Sequence, residues 1–231
     1  MQEDKSVDIL QSLLVNLSDV ESGEILARFT PYREMLIEYQ CAMLEVETKL
    51  RVLDTEFSLD RQSNPIESIQ SRIKEPRSLL KKLKDMRLEP TLENIRNNIF
   101  DIAGIRVICS FEDDVYRLIN ALKQQSDVDF IAEKDYIRYP KKSGYRSYHL
   151  VISIPIFLSA HSAKRAVEVQ FRTIAMDSWA SLEHKLRYKK DSNNEEINRR
   201  LFMCAEISAH LDKEMMAVRD LVRSMDERTD E

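Results

Sequence analysis

Residues 165–172 read Arg-Ala-Val-Glu-Val-Gln-Phe-Arg, and residues 174–187 follow as Ile-Ala-Met-Asp-Ser-Trp-Ala-Ser-Leu-Glu-His-Lys-Leu-Arg. In the first stretch Val167, Val169 and Phe171 alternate with Glu168, Gln170 and Arg172, which is the period of a strand. The second stretch reads as a helix. A strand running straight into a helix predicts a core of mixed α and β character.

The same alternation recurs upstream. Residues 147–154, 129–138 and 102–109 read as strands, and Ile69, Ser71 and Ile73 alternate with Gln70, Arg72 and Lys74, placing Arg72 and Lys74 on one face. Helices are expected from Glu75-Pro76 to about Met86 and over Glu112–Gln124, with a short one starting at Asn64-Pro65. Five strands interleaved with helices predict an α+β fold with a mixed sheet. Thr30-Pro31 reads as an N-cap with proline at the first helical position. Beyond it Leu36, Tyr39, Met43, Val46, Leu50, Leu53 and Phe57 form a helical stripe. A matching stripe runs through Ile197, Leu201, Cys204, Ser208, Leu211, Met215, Val218 and Val222. The two long helices are expected to pack on each other within the chain, the alternative being a neighbouring subunit.

Composition narrows the classes. Only three of 231 residues are glycine, too few for an all-β fold built on tight turns. Cys41, Cys109 and Cys204 are scattered and odd in number, which reads as reduced thiols rather than disulfides or a zinc site. The N-terminus is acidic, and Ile9–Leu17 is too short to span a bilayer, so a cytoplasmic location is expected. A net charge of −5 argues against wholesale nucleic-acid binding. Yet Lys and Arg crowd residues 72–87, 134–146 and 185–190. Each run alone reads equally well as a solvated helix face; three together in an acidic chain fit a polyphosphate pocket.

Two carboxylates stand out. Asp101 directly precedes the strand Ile-Ala-Gly-Ile-Arg-Val-Ile-Cys, and Glu168 sits in mid-strand, where a carboxylate is costly unless it is paired or metal-bound. The competing reading of Glu168 is the polar face of an edge strand. If both carboxylates face one cleft they suit Mg²⁺, with Arg72, Lys74 and Arg106 supplying positive charge. Residues 141–149, Lys-Lys-Ser-Gly-Tyr-Arg-Ser-Tyr-His, put an aromatic ring in a basic loop, as nucleotide binding requires, although a plain basic hairpin turn has the same composition. There is no GxxxxGK[ST], no Rossmann fingerprint, no HExxH and no nucleophile elbow. Any ATP chemistry must therefore run through carboxylates and cations on a sheet.

Taken in order, DIAGIRVIC (101–109), KDYIRYPKKSGYRSYHLV (134–151) and VEVQFRTIAMDSWASLEHKLRYK (167–189) resemble the small alarmone synthetases, the single-domain members of the RelA/SpoT family of GTP pyrophosphokinases. The resemblance spans roughly residues 30–220 and leans towards the RelP type rather than the RelQ type. It implies a nucleotidyltransferase-like sheet surrounded by helices, with residues 26–231 as the synthetase domain and residues 1–25 as an extension of no assigned function. It also implies transfer of the β,γ-pyrophosphate of ATP to the 3′-hydroxyl of GDP or GTP in the stringent response, Mg²⁺ as cofactor, and a homotetramer formed through the terminal helices.

Residue by residue, the resemblance puts Arg72 and Lys74 on the ATP side, with Arg106 joining Arg72 around the adenine. Asp101 becomes the main Mg²⁺ ligand, and Glu168 a second acidic ligand and the general base. Tyr145 becomes the ring that stacks on guanine, with His149 in the same block. Lys134, Lys142, Arg172, His184, Arg187 and Lys189 become phosphate or acceptor contacts. Asp177 suits guanine, because a carboxylate accepts from both N1–H and N2–H₂, a donor pair adenine lacks; Asp177→Ala should relax GDP-over-ADP discrimination, and an unchanged ratio would refute this. Two other readings remain open: a related Mg²⁺-dependent transferase with another acceptor, and a non-catalytic regulator that binds RNA or nucleotide.

Overall fold

The computed structural model describes residues 23–59, 64–188 and 194–229. In chain order the elements are α1 (Gly23–Ser58), β1 (Ile66–Ile73), α2 (Pro76–Asp85), α3 (Leu92–Asn98), β2 (Ala103–Cys109) and α4 (Glu112–Lys123), followed by β3 (Asp129–Asp135), β4 (Tyr148–Phe157), β5 (Ser162–Thr173), α5 (Ile174–Tyr188) and α6 (Glu195–Thr229). The strands form one mixed sheet in the order β1-β2-β5-β4-β3, with β2 and β5 parallel and the other neighbours antiparallel. The expected α+β class with five strands is what the chain adopts.

Strand β5 is central, flanked by β2 and β4, so Glu168 lies inside the sheet and the edge-strand reading is overturned. The alternation read from sequence sorts the two faces. Val167, Val169 and Phe171 join Ile105, Val107, Leu150 and Ile152 in the core, where all are buried. Helix α1 lies across this apolar face and also touches α4. Its buried residues Tyr32, Met35, Tyr39, Ala42, Val46, Leu50 and Leu53 recur at intervals of three and four, the stripe a helix on a sheet must present. One carboxylate enters that interface. Glu38 is 7% exposed and is held by Arg165, whose Nε lies 2.8 Å away, and by His161.

Three expectations need correction. Pro31 is inside α1 rather than at its start, because the helix begins at Gly23. The proline removes one backbone hydrogen bond, and burial of Tyr32, Met35 and Tyr39 just beyond it anchors the helix on the sheet. Asn64-Pro65 leads into β1 instead of a helix: Asp54 accepts from the Ile66 amide at 3.1 Å, and the Ser110 amide donates to the Pro65 carbonyl, holding the segment extended. The two long helices do not pair. Helix α1 covers the sheet, whereas α6 packs on α5, leaving Leu211, Met215, Val218, Leu221 and Val222 exposed. Helix α3, capped by the Thr91 hydroxyl on the Asn94 amide at 3.1 Å, was not foreseen. Apart from Gly23–Ile25, the extension expected over residues 1–25 lies outside the described residues.

Helix α6 is tied to the end of β5 by Thr173, whose hydroxyl donates to Asp212 at 2.8 Å while accepting from the Met176 amide at the start of α5. Asp212 is buried, which pushes its pKa from 3.8 up to about 6. The folded form therefore binds its proton more tightly than the unfolded chain. The penalty is absent below about pH 4 and complete above about pH 6. Asp212→Asn is expected to add roughly 1–3 kcal/mol of stability at pH 7.5 and nothing at the acid end. Denaturant melts at pH 4 and 7.5 check this; an equal gain at both values would refute it.

Candidate active site

The polar face of the sheet is organised in rows. Register places Arg72, Gly104, Glu168 and Val151 side by side across β1, β2, β5 and β4, and the next row holds Gln70, Arg106, Gln170, His149 and Lys134. Gly104 contributes no side chain, so the first row is open between Arg72 and Glu168. Asp101 reaches this face from the segment before β2, fixed by the fully buried Ile99 and Ile102 on either side of it.

Two adjoining cavities occupy the face. The first, about 240 Å³, is lined by Gln70, Arg72, Asp101, Arg106, Glu168 and Gln170, with backbone of β1 and β2. The second, about 300 Å³, is lined by Lys82, Lys134, Tyr136, Lys141 and His149, and again by Asp101 and Glu168. The two carboxylates are the wall the cavities share.

Both carboxylates are prepared for charge. Lys74 donates to Asp101 Oδ2 at 2.7 Å and Lys82 to Oδ1 at 2.8 Å. Burial alone would raise the Asp101 pKa, but the two ammonium groups outweigh it and hold it below its ordinary value. Glu168 is likewise pushed up by burial and pulled further down by His149 and Gln170. His149 Nδ1 lies 3.0 Å from Glu168 Oε1, and the Gln170 amide donates to Oε2 at 3.1 Å.

A hydrogen-bonded chain continues from Glu168 across the second row. His149 Nε2 is 2.9 Å from the Tyr145 hydroxyl, which accepts from Arg172 at 2.9 Å; Arg172 in turn donates to Asp177 Oδ1 at 2.9 Å. One set of directions satisfies every link: Tyr145 donates to Nε2, and Nδ1–H donates to Glu168. Arg172 is only 5% exposed and also reaches the Gln170 side-chain oxygen at 3.2 Å. Arg106 approaches the same Asp177 oxygen at 3.5 Å, so Asp177 clamps guanidiniums from β2 and β5. Burial and the neighbouring Arg172 pull the Arg106 pKa down, with Asp177 opposing.

The structure thus brings together Arg72, Lys74, Asp101, Arg106, Lys134, Tyr145, His149, Glu168, Arg172 and Asp177. Lys142 is exposed on its turn and lines neither cavity; its neighbour Lys141 does, with Nζ 4.6 Å from the Tyr136 ring centre and 4.7 Å from that of Tyr145. His184 is exposed on α5, two turns beyond Asp177, away from both cavities. The Arg187 side chain and Lys189 lie outside the described residues. Sequence reading passed over Lys82, Tyr136, Lys141 and Gln170. Gln170 shares the strand face of Glu168, and that alternation was the signal; Lys82 belonged to a basic run with nothing to single it out. Arg146, counted with the basic loop, turns away from the cavities to Glu206 on α6 at 3.2 Å.

Asp101 and Glu168 offer hard oxygen donors on one wall. Among the described residues no three His, Cys, Asp or Glu side chains gather round one point. A pair of carboxylates fits Mg²⁺, which completes its shell with water and substrate phosphates.

The chain is similar to several known proteins. Residues 71–193 match the region found in RelA / SpoT proteins. The GTP pyrophosphokinase YwaC of Bacillus subtilis (strain 168) is 37% identical over 206 residues, covering 89% of this chain and 98% of that protein. YjbM, a GTP pyrophosphokinase of the same organism, is 35% identical over 193 residues, covering 83% and 90%. Among solved structures, small alarmone synthetase 1 of B. subtilis bound to its product pppGpp superposes with a TM-score of 0.75 at 35% identity, covering 83% of this chain and 98% of that one. Small alarmone synthetase 2 of that species gives 0.72 at 40% identity, covering 80% and 97%. With the matched region taking in the whole β2–β5 sheet face and its carboxylate pair, the chain belongs to the RelA/SpoT family, among its single-domain small alarmone synthetases.

Proposed function

We propose that the protein is a GTP pyrophosphokinase that transfers the β,γ-pyrophosphate of ATP to the ribose 3′-hydroxyl of GDP or GTP and releases AMP. The observation that carries this reading is the pair of cavities meeting at Asp101 and Glu168. Two nucleotides on a shared carboxylate wall are what an in-line transfer between them needs.

ATP belongs in the first cavity, where the Arg72 and Arg106 guanidiniums flank the adenine and the phosphates extend to the shared wall at Asp101, which Lys74 and Lys82 hold. The acceptor belongs in the second, with its phosphates among Lys134, Lys141 and His149 and its base reaching past them to Tyr145, which adjoins the lining residues Tyr136, Lys141 and His149. A purine on Tyr145 takes the place of the flexible Lys141 ammonium over that ring and is worth about 1–3 kcal/mol of stacking. Asp177, with Oδ1 engaged by two arginines, reads guanine through Oδ2.

The 3′-oxygen attacks the β-phosphorus, the bond from the α,β-bridging oxygen to that phosphorus breaks, and AMP leaves with the electron pair. Glu168, ionised at neutral pH, takes the hydroxyl proton, while His149 and Gln170 hold the carboxylate in place. Asp101 and Glu168 would hold Mg²⁺, which when bound supplies charge neutralisation at the phosphates.

The exposed apolar stripe of α6 supports assembly with further copies, as a homotetramer. Scattered free thiols support a cytoplasmic location; among the described residues no helix is long and apolar enough to cross a membrane. The catalytic domain is taken as residues 26–231.

The test is product analysis of purified protein with Mg²⁺, labelled ATP and GDP or GTP. A 3′-pyrophosphorylated guanine nucleotide appearing with equimolar AMP is the expected result. Folded protein that binds nucleotide but makes no such product, or serves ADP or RNA equally well as acceptor, refutes the reading.

A further inference from the structure

Three consecutive loop residues rest on α6. Gly144 has a φ of 87°, and a Cβ placed on it would lie 2.5 Å from Ala205 Cβ and 3.5 Å from Phe202 Cδ2. The loop backbone therefore lies directly on the helix, and only glycine fits there. Tyr145 packs its ring against the buried cluster of Trp179, Ala180, Leu201 and Ala205. Arg146 reaches Glu206. The support is rigid, because Trp179 Nε1 on α5 donates to the Leu201 carbonyl at 2.9 Å and pins α5 to α6. At its other end Tyr145 delivers its hydroxyl to Arg172 and His149.

We propose that the Phe202–Glu206 turn of α6 sets acceptor affinity by holding the Tyr145 loop in place, with Ala205 and the Arg146–Glu206 pair as positioning residues. This rests on the reading of the Tyr145 side as the acceptor pocket. None of these three side chains lines either cavity; they reach the second one through Tyr145, whose ring adjoins the lining residues Tyr136 and His149 at 6.0 and 5.9 Å between ring centres. The ATP cavity draws its lining from β1, β2, β5 and the segment holding Asp101, and so lies outside the reach of α6. The predicted signature is therefore selective: the acceptor term moves and the ATP term does not.

The experiment is steady-state kinetics with both substrates varied, on the wild-type chain and on Ala205→Leu, Ala205→Ser and Glu206→Gln. Leucine at 205 must lift the loop off the helix, and its KM for GDP is expected to rise about tenfold or more. The KM for ATP should stay within about twofold, since the ATP cavity is untouched, and kcat within a few-fold, since Glu168 loses only the Tyr145 support behind His149 and keeps its direct bonds to His149 and Gln170. Serine, nearly isosteric with alanine, should restore wild-type values. Glu206→Gln keeps the shape and removes the charge, and should raise the GDP KM by about two- to fivefold in a surface-exposed pair. If Ala205→Leu does not fold, the exposed Glu206→Gln change decides. An unchanged GDP KM in that variant, or in a folded leucine variant, overturns the proposal. So does a parallel loss in both KM values and kcat, the mark of general damage. If the wild-type chain makes no 3′-pyrophosphorylated product, the catalytic reading falls, and calorimetric GDP and ATP binding decides this one instead. Weakened GDP with intact ATP supports it, and equal changes overturn it.

Discussion

Glu168→Gln is expected to lower the single-turnover rate of AMP formation by about 10²–10⁴-fold, the range a positioned general base contributes. The substitution keeps the size of the side chain and an oxygen able to accept from His149 Nδ1–H, so the chain of hydrogen bonds to Tyr145 has no reason to collapse. What disappears is the capacity to take the 3′-hydroxyl proton and half of the acidic wall. Binding of ATP and GDP, measured separately, should change far less than the rate. The wild-type pH profile carries the same signature. Because the Glu168 pKa is held below its ordinary 4.5, the base is ionised throughout the neutral range, and the acid limb of the rate falls below that value. A variant whose rate stays within tenfold of wild type would remove Glu168 from the chemistry.

Asp101→Asn is expected to cost about 10²–10³-fold in kcat, comparable to removing one preorganised electrostatic group from an active site. It should also raise the Mg²⁺ concentration needed for half-maximal rate. Two changes act together. One of the two carboxylates proposed to hold Mg²⁺ is lost, and the Lys74 and Lys82 ammonium groups lose the carboxylate between them. Both lysines are bound to Asp101, so without its charge the cavity should become more repulsive to Mg²⁺ and looser in shape. Titrating Mg²⁺ at saturating ATP and acceptor separates the effects. An unchanged half-saturating Mg²⁺ concentration would exclude Asp101 as a ligand, whatever happens to kcat.

Much of the site could be read from the chain because it lies on strands. Alternation in 165–172 placed Glu168, Gln170 and Arg172 on one face, and the sheet kept them there. The carboxylate pair was visible for the same reason: Asp101 lies just before β2, and Glu168 lies within β5, its parallel neighbour. What escaped depends on contacts between distant segments. Lys141 and Lys142 are chemically equal in sequence, and only the turn around Gly144 decides which faces the tyrosines. Lys82 needed the position of α2 relative to Asp101. Thr30-Pro31 carries a genuine helix-start pattern, yet residues on both sides of it are helical. The stripe of α6 was correctly periodic, but periodicity states only that a helix has an apolar face. It does not name what lies opposite, and in this chain the distal half of that face is left open.

Strand β5 joins two pairs that are otherwise separate, β1 with β2 and β3 with β4. During translation both pairs leave the ribosome before β5 does, and the first carries Asp101 at its border while the second carries His149. Neither pair holds Glu168. An interrupted translation product lacking β5 therefore has no means of bringing the acidic wall together, however well its two strand pairs form. The last strand to be made completes the sheet and the chemistry in one event, and its pairing of Ala103 with Val167 is a distant, slow contact to close. A chain interrupted before β5 therefore lacks the carboxylate that the proposed transfer needs.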